Sequence, residues 1–167
     1  MDALPGVTRD SNVSLREITE ATLSDILRLR VHPAQRGFVA DNAVSIAQAH
    51  FSSVAWFRAI YAGDVPVGFV MLSDDAAKPE YCLWRFMIDA RFQKLGFGRR
   101  ALGLLIAYVR TRPGAVELLT SCVEGDGSPI PFYESCGFRR TGRYDDGEAV
   151  LALELATGAK GGTTPRA

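Results

Sequence analysis

The apolar residues of this chain fall into short segments whose spacing predicts one element at a time. Tyr81 to Ile88 is mostly apolar and aromatic, too short for a helix crossing a core and rich in strand formers, which predicts a buried strand. Leu102, Leu105, Ile106 and Val109 then repeat at the three-and-four spacing of one helical face, and Pro113-Gly114 stops the pattern. Nearer the start, Val13 to Ile18 alternates as a first strand. Thr22-x-x-Asp25 gives a helix start signal, and Leu23, Ile26, Leu27 and Arg30 line one face behind it. His32-Pro33 ends that helix, because the residue before proline avoids helical angles.

Pro33 to Asn42 is polar and irregular, which makes it a candidate wall for a binding site, and Ser45 to Phe51 reads as a second short helix. Ala55 to Tyr61 and Val65 to Ser73 flank a Gly63-Asp64 turn as a hairpin. Val116 to Val123 is a fifth strand, and Pro129 to Cys136 a short helix closed by Gly137. Phe138 to Tyr144 and Glu148 to Leu155 flank Asp145-Asp146-Gly147 as a second hairpin. The expected fold is mixed α/β (α+β). About seven strands form a largely antiparallel sheet with about four helices, parallel only where the central helix crosses from the fourth strand to the fifth.

Residues 1–11 and 157–167 lack periodicity and read as flexible tails around one domain spanning 12–156. A chain of 167 residues can bury roughly 70% of the surface its unfolded form exposes, so it needs neither disulfide nor metal to fold. Nineteen basic and nineteen acidic residues balance, which argues against a nucleic-acid or anionic-membrane binder that works by bulk charge. The beginning of the chain has no apolar signal core, and no run is long enough for a membrane span, so a cytoplasmic location is expected. Cys82, Cys122 and Cys136 are odd in number, widely spaced and set in apolar runs, as expected of buried reduced thiols.

The segment between the fourth strand and the central helix carries the chemistry. Asp89 to Leu95 leads into Gly96-Phe97-Gly98, and glycines where a helix begins let the backbone come close to a ligand. The first helical turn offers unpaired N–H groups and a partial positive charge, and Arg91, Lys94, Arg99 and Arg100 crowd the same turn. Such a place suits a ligand with several phosphates. Gly96-Phe97-Gly98-Arg99-Arg100-Ala101 satisfies the dinucleotide pattern G-x-G-x-x-G/A, with Glu117 about 20 residues on. Against that reading, a polar connector of seven residues separates the strand from the first glycine, and Glu117 opens its strand rather than closing it. A nucleoside triphosphate loop fails because no Gly-Lys-Ser/Thr follows.

Gln93-Lys94-Leu95-Gly96-Phe97-Gly98 resembles the Q/R-x-x-G-x-G/A loop of the GNAT superfamily of N-acyltransferases, and Pro131-Phe132-Tyr133-Glu134-Ser135-Cys136-Gly137-Phe138 resembles that family's F-Y-x-x-x-G-F ending. The resemblance implies acetyl-CoA as acyl donor, no metal, and a donor site made by Phe86, Met87, Ile88, the Gln93 to Gly98 loop, Arg99, Arg100 and Phe132. Asp126 stands where many relatives carry Asn, so it contacts either CoA or the acceptor. A homodimer is implied too. Phe38-Val39-Ala40-Asp41-Asn42 and Leu83-Trp84-Arg85-Phe86-Met87-Ile88-Asp89 resemble the spermine/spermidine (diamine) branch, whose acceptor would run along Phe38, Asp41 and Trp84. Aminoglycoside-like drugs, amino acids and protein amines are alternative acceptors. A non-catalytic acyl-CoA-binding module is the alternative to an enzyme.

An alkylamine with a pKa near 10.4 is neutral in only about one molecule in 2,500 at pH 7, so deprotonation costs roughly 4.6 kcal/mol. A base, desolvation or positioning must offset that cost. Glu124, Glu80 and Asp41 are the candidate bases by position, with Glu124 favoured because it ends the fifth strand. The departing thiolate needs a proton, and Tyr133 matches the family's tyrosine; a phenol can donate at neutral pH without ionising first. His32 and His50 have no partner motif nearby and are expected to be structural.

Overall fold

The computed structural model describes residues 6–155. Seven strands run β1 (Val13–Arg16), β2 (Ala55–Ala62), β3 (Val65–Asp75), β4 (Glu80–Ile88), β5 (Glu117–Cys122), β6 (Arg139–Asp145) and β7 (Glu148–Glu154). Among the described residues there are four helices, α1 (Glu20–Arg28), α2 (Asn42–His50), α3 (Phe97–Arg110) and α4 (Ile130–Ser135), with short 3-10 turns at Pro33–Gln35 between α1 and α2 and at Ala90–Phe92 between β4 and α3. The sheet order is β1-β2-β3-β4-β5-β7-β6, and β4 with β5 is its parallel pair. A crossover through α3 requires that pair to be parallel, whereas tight turns at Gly63 and Asp146-Gly147 make the flanking hairpins antiparallel. The fold is therefore the mixed, mostly antiparallel α/β architecture expected from the pattern.

Each face of the sheet has its own core. Leu102, Leu105 and Val109 of α3 and Ile130 and Tyr133 of α4 bury against Val70, Leu72, Leu83, Leu118 and Leu151. On the opposite face, Ile26 and Leu29 at α1 and Ala49 of α2 bury against Ala59, Phe69, Met71 and Met87. Helix α1 starts one turn earlier than Thr22-x-x-Asp25 suggested: Thr19 caps it, and the Thr19 N–H donates to Thr22 Oγ1 at 2.9 Å. Strand β1 stops at Arg16, two residues short of Ile18. Helix α2 begins at Asn42, whose buried amide donates to the Ile26 carbonyl at 2.9 Å and ties α2 to α1. The expected tail segments 1–5 and 157–167 lie outside the described residues, while Ser11 and Arg9 offer their carbonyls to Arg100 at 2.8 and 2.6 Å.

One irregularity sets up the site. Strand β4 pairs with β5 at only three positions, Tyr81 with Leu118, Cys82 with Leu119 and Leu83 with Thr120, yet it runs on to Ile88. On its other side the register with β3 slips at the same point, from Met71 opposite Arg85 to Leu72 opposite Leu83, leaving Trp84 as the extra residue of a bulge. A bulge bends and twists its strand. Beyond Leu83 the two parallel strands separate, and the β5-facing edge of Phe86, Met87 and Ile88 is left without a ladder partner in β5. The β3 side stays tight because Gly68 has no side chain, and a Cβ there would fall 2.3 Å from the Met87 carbonyl oxygen.

Candidate active site

The gap between β4 and β5 opens into a cavity of about 490 Å³. Phe86, Met87 and Ile88 all line it, although successive residues of a strand point to opposite faces. Three in a row can do so because the cavity meets the strand along its edge, which also leaves backbone donors and acceptors to face an extended ligand.

One end of the cavity is the glycine loop. Asp89 carries it: this carboxylate, 3% exposed, accepts from the Arg30 N–H at 2.9 Å, the Arg91 N–H at 3.0 Å and Arg91 Nε at 2.7 Å. Burial opposes its ionisation, but these donors outweigh burial and hold the carboxyl below its ordinary range. The backbone then turns left-handed at Lys94 (φ 63°) and Gly96 (φ 84°). Left-handed residues ahead of a helix belong to the backbone pattern of anion-binding nests. The first intrahelical bond of α3 runs from the Arg100 N–H to the Gly96 carbonyl at 3.3 Å, so the amides of Phe97, Gly98 and Arg99 precede the ladder. A Cβ on Gly96 would meet nothing within 4 Å, and one on Gly98 would touch Ile88 and Phe132 at 3.6 Å. The backbone is thus open on the cavity side, and with Lys94 and Arg99 in the lining it fits a diphosphate.

The other end is closed by aromatic rings. Phe132 of α4 stacks on Phe86 across the gap, with ring centroids 6.0 Å apart, and meets Tyr133 edge-on at 5.4 Å. Tyr133 lines the cavity at its buried end and is only 5% exposed. Burial pushes its phenol well above the ordinary value; the nearby Cys122 thiol adds to this, and hydrogen bonding to Thr120 opposes it. A phenol of this kind stays protonated through the physiological range.

The expected residues sort into three groups. Phe38, Phe86, Met87, Ile88, Gln93, Lys94, Gly96, Gly98, Arg99, Phe132 and Tyr133 share the cavity lining. Leu95, Phe97 and Arg100 belong to the same loop but not to that lining: Phe97 is core, and the Arg100 guanidinium lies over its ring at 5.0 Å while bonding the segment before β1. Asp41, Glu124 and Asp126 are exposed outside the lining, and Trp84 belongs to a second concavity, of about 460 Å³, with Glu80, Cys82 and Tyr144. Glu124 is engaged elsewhere. Arg140 donates to one of its oxygens and Tyr144 to the other at 3.1 Å, and these bonds hold its carboxyl below the ordinary range. Among the described residues, no Asp or Glu lines the first cavity.

Gln35, Val31, Val39, Phe92, Gly127, Ser128 and Pro129 complete the lining. The polar stretch from Pro33 to Asn42 flags the right loop, but no spacing rule singles out Gln35 or Val39 within it. Gly127-Ser128-Pro129, just ahead of α4, carried a turn signal that points to the same place.

Residues 33–138 match the family model described as "Acetyltransferase (GNAT) family", and the chain belongs to that family. It is thus an acyltransferase of the N-acetyltransferase class. The chain is similar to the spermine/spermidine N(1)-acetyltransferase of Bacillus subtilis (strain 168), 27% identical over 155 residues that cover 86% of this chain and 99% of that protein. Among solved structures, PaiA N-acetyltransferase from Thermoplasma acidophilum in complex with coenzyme A superposes with a TM-score of 0.66 at 13% identity, covering 86% of this chain and 99% of that one. An acetyltransferase from Thermus thermophilus gives 0.69 at 17% identity, covering 86% and 97%. Among the described residues, no helix is long and apolar enough to cross a membrane, and no group of three or more His, Cys, Asp or Glu could hold a metal ion.

Proposed function

We propose that this protein transfers an acetyl group from acetyl-CoA directly to a primary amine of a small acceptor, a polyamine such as spermidine or spermine. The observation that carries the reading is that Gly96, with its open backbone, and Tyr133 line one cavity along the free edge of β4. In this reading the amides of Phe97 to Arg99, with Lys94 and Arg99, hold the donor's diphosphate. The free edge of Phe86 to Ile88 receives its extended arm, and a backbone N–H there faces the thioester oxygen.

The amine nitrogen attacks the thioester carbon, a C–N bond forms and the C–S bond breaks; Tyr133 passes its proton to the sulfur and takes up, through water, the proton that the nitrogen sheds, so that amide, CoA thiol and a neutral phenol result. The ammonium proton must leave before attack. Because no carboxylate lines the cavity, Glu124 does not serve as an in-cavity base in this reading. The apolar walls of Val31, Phe38 and Val39 instead disfavour the ammonium form, and water carries the proton out.

The similarity to spermine/spermidine acetyltransferases supports a polyamine, whose remaining ammonium groups would stay outside the apolar cavity near Asp41. The same apolar wall also favours a second reading, an acceptor whose amine sits on a hydrophobic body. A panel of polyamines, arylalkylamines, amino acids and aminoglycosides, assayed for CoA thiol release together with the acetylated product, separates the two. Polyamine turnover at the highest kcat/KM supports the first reading. Thiol release that depends on none of these amines would defeat both.

A further inference from the structure

We propose that Gln35 is a positioning residue that couples occupancy of the glycine loop to the wall on the acceptor side of the cavity, a role that rests on the acetyl-CoA reading above. The Gln93 side chain, at the first position of the loop motif, does not point at the diphosphate site. Its Nε2 donates to the Ile88 carbonyl at 2.9 Å and to Gln35 Oε1 at 2.8 Å. A backbone carbonyl can only accept, so the Ile88 contact requires the NH2 end of Gln93 to face it. Gln35 must then present its oxygen, and the amide pair has a single compatible orientation.

Gln35 sits in the 3-10 turn Pro33–Gln35, and its own backbone carbonyl accepts from the Phe38 N–H at 3.0 Å. The turn touches the opposite wall too. A Cβ on Gly127, in the connection from β5 to α4, would lie 3.2 Å from the Ala34 carbonyl oxygen and 3.4 Å from the Phe38 ring. Residues 34–38 therefore bridge the gap between the separated strands, held to the β4 side by one side-chain bond and against the β5 side by close packing. Phe38 and Val39, which line the cavity, are carried on this bridge. A diphosphate that orders the loop from Gln93 to Gly98 would fix Gln93, and through Gln35 would fix the bridge against which the acceptor packs.

The test is hydrogen exchange of the segment 33–39 with and without CoA, in wild type and Gln35→Ala, alongside calorimetric CoA affinity. Gln93 keeps its bond to Ile88 in the variant, so CoA affinity should stay within about twofold, while one lost hydrogen bond is worth about fivefold. The expected result is that CoA slows exchange of 33–39 in wild type and no longer does so in Gln35→Ala. With the acceptor found by the amine panel, its KM should rise about fivefold with kcat nearly unchanged. A Gln35→Ala/Gln93→Ala double variant should raise that KM no more than Gln93→Ala does alone, because the two residues act through one bond. CoA binding that leaves 33–39 unprotected in wild type, or protects it equally in Gln35→Ala, overturns the coupling and leaves the catalytic reading standing. Failure of CoA to bind wild type overturns both.

Discussion

Phe86 of β4 and Phe132 of α4 stack with 13° between their ring planes across the gap where β4 and β5 have separated. The stack replaces the missing ladder with side-chain contact, holding α4, and with it Tyr133, at a fixed distance from the free edge of β4. An aromatic pair of this kind contributes about 0.5–1.5 kcal/mol beyond its area burial. Phe132→Ala should therefore lower stability by about 2–3 kcal/mol, adding lost burial to the lost pair. Urea unfolding measures the first effect. A matching fall in kcat/KM, larger than that of Phe132→Leu, would show that the stack also positions Tyr133.

Gly96 and Gly98 make different demands, although both belong to one motif. Gly96 has φ 84° with open space where a Cβ would stand, so the obstacle to alanine is backbone strain rather than collision. Gly96→Ala should cost about 1–2 kcal/mol and, by rotating the amides that follow, weaken acetyl-CoA binding about tenfold, a loss of about 1.4 kcal/mol. Gly98→Ala places its Cβ at ordinary contact distance from Ile88 and Phe132 and should stay within a few-fold of wild type. Calorimetric titration with acetyl-CoA distinguishes the two.

Tyr133→Phe removes the proposed proton donor and little else. We expect kcat to fall about a hundredfold with acetyl-CoA affinity unchanged. Because burial raises the phenol's pKa, the neutral form is the one the folded state favours. Wild-type kcat should then show no alkaline loss from this group at least to about pH 10. An unchanged kcat in Tyr133→Phe would remove it from the mechanism.

Tyr108 offers a stability test away from the cavity. Its hydroxyl donates to Asp74 Oδ2 at 2.6 Å, its ring stacks on Trp56 at 4.4 Å, and burial together with Asp74 pushes the phenol up to about 12. The raised value means that folding favours the protonated phenol. This contribution is fully present below the unfolded pKa of about 10 and is lost as pH rises from there toward about 12. Tyr108→Phe should cost about 1 kcal/mol at pH 7 and flatten the decline in stability over that alkaline window, as followed by urea unfolding at stepped pH.

The fold was legible in the sequence wherever local backbone chemistry decides it. Gly63-Asp64 and Asp146-Gly147 require turns, Pro113-Gly114 stops α3, and Leu102, Leu105 and Val109 can share only a helical face. The conformation of the glycine loop was legible for the same reason, since Gly96 needs left-handed space before a helix. The acceptor side was not. Trp84 and Phe38 face different concavities because a bulge at Trp84 and the parting of β4 from β5 beyond Leu83 are tertiary events with no local signature. Glu124 reads as a base at the end of β5, yet Arg140 and Tyr144, 16 and 20 residues later, take up its oxygens. The Gln35–Gln93 contact spans 58 residues and has no counterpart in any short spacing rule.

The position of the bound acyl donor decides the proposed mechanism, and a crystal structure with acetyl-CoA soaked in measures that position directly. The diphosphate should sit on the amides of Phe97 to Arg99, with the thioester sulfur within hydrogen-bond reach of the Tyr133 hydroxyl. Acetyl-CoA bound away from the Gly96 loop, or lying with its sulfur turned away from Tyr133, would contradict it.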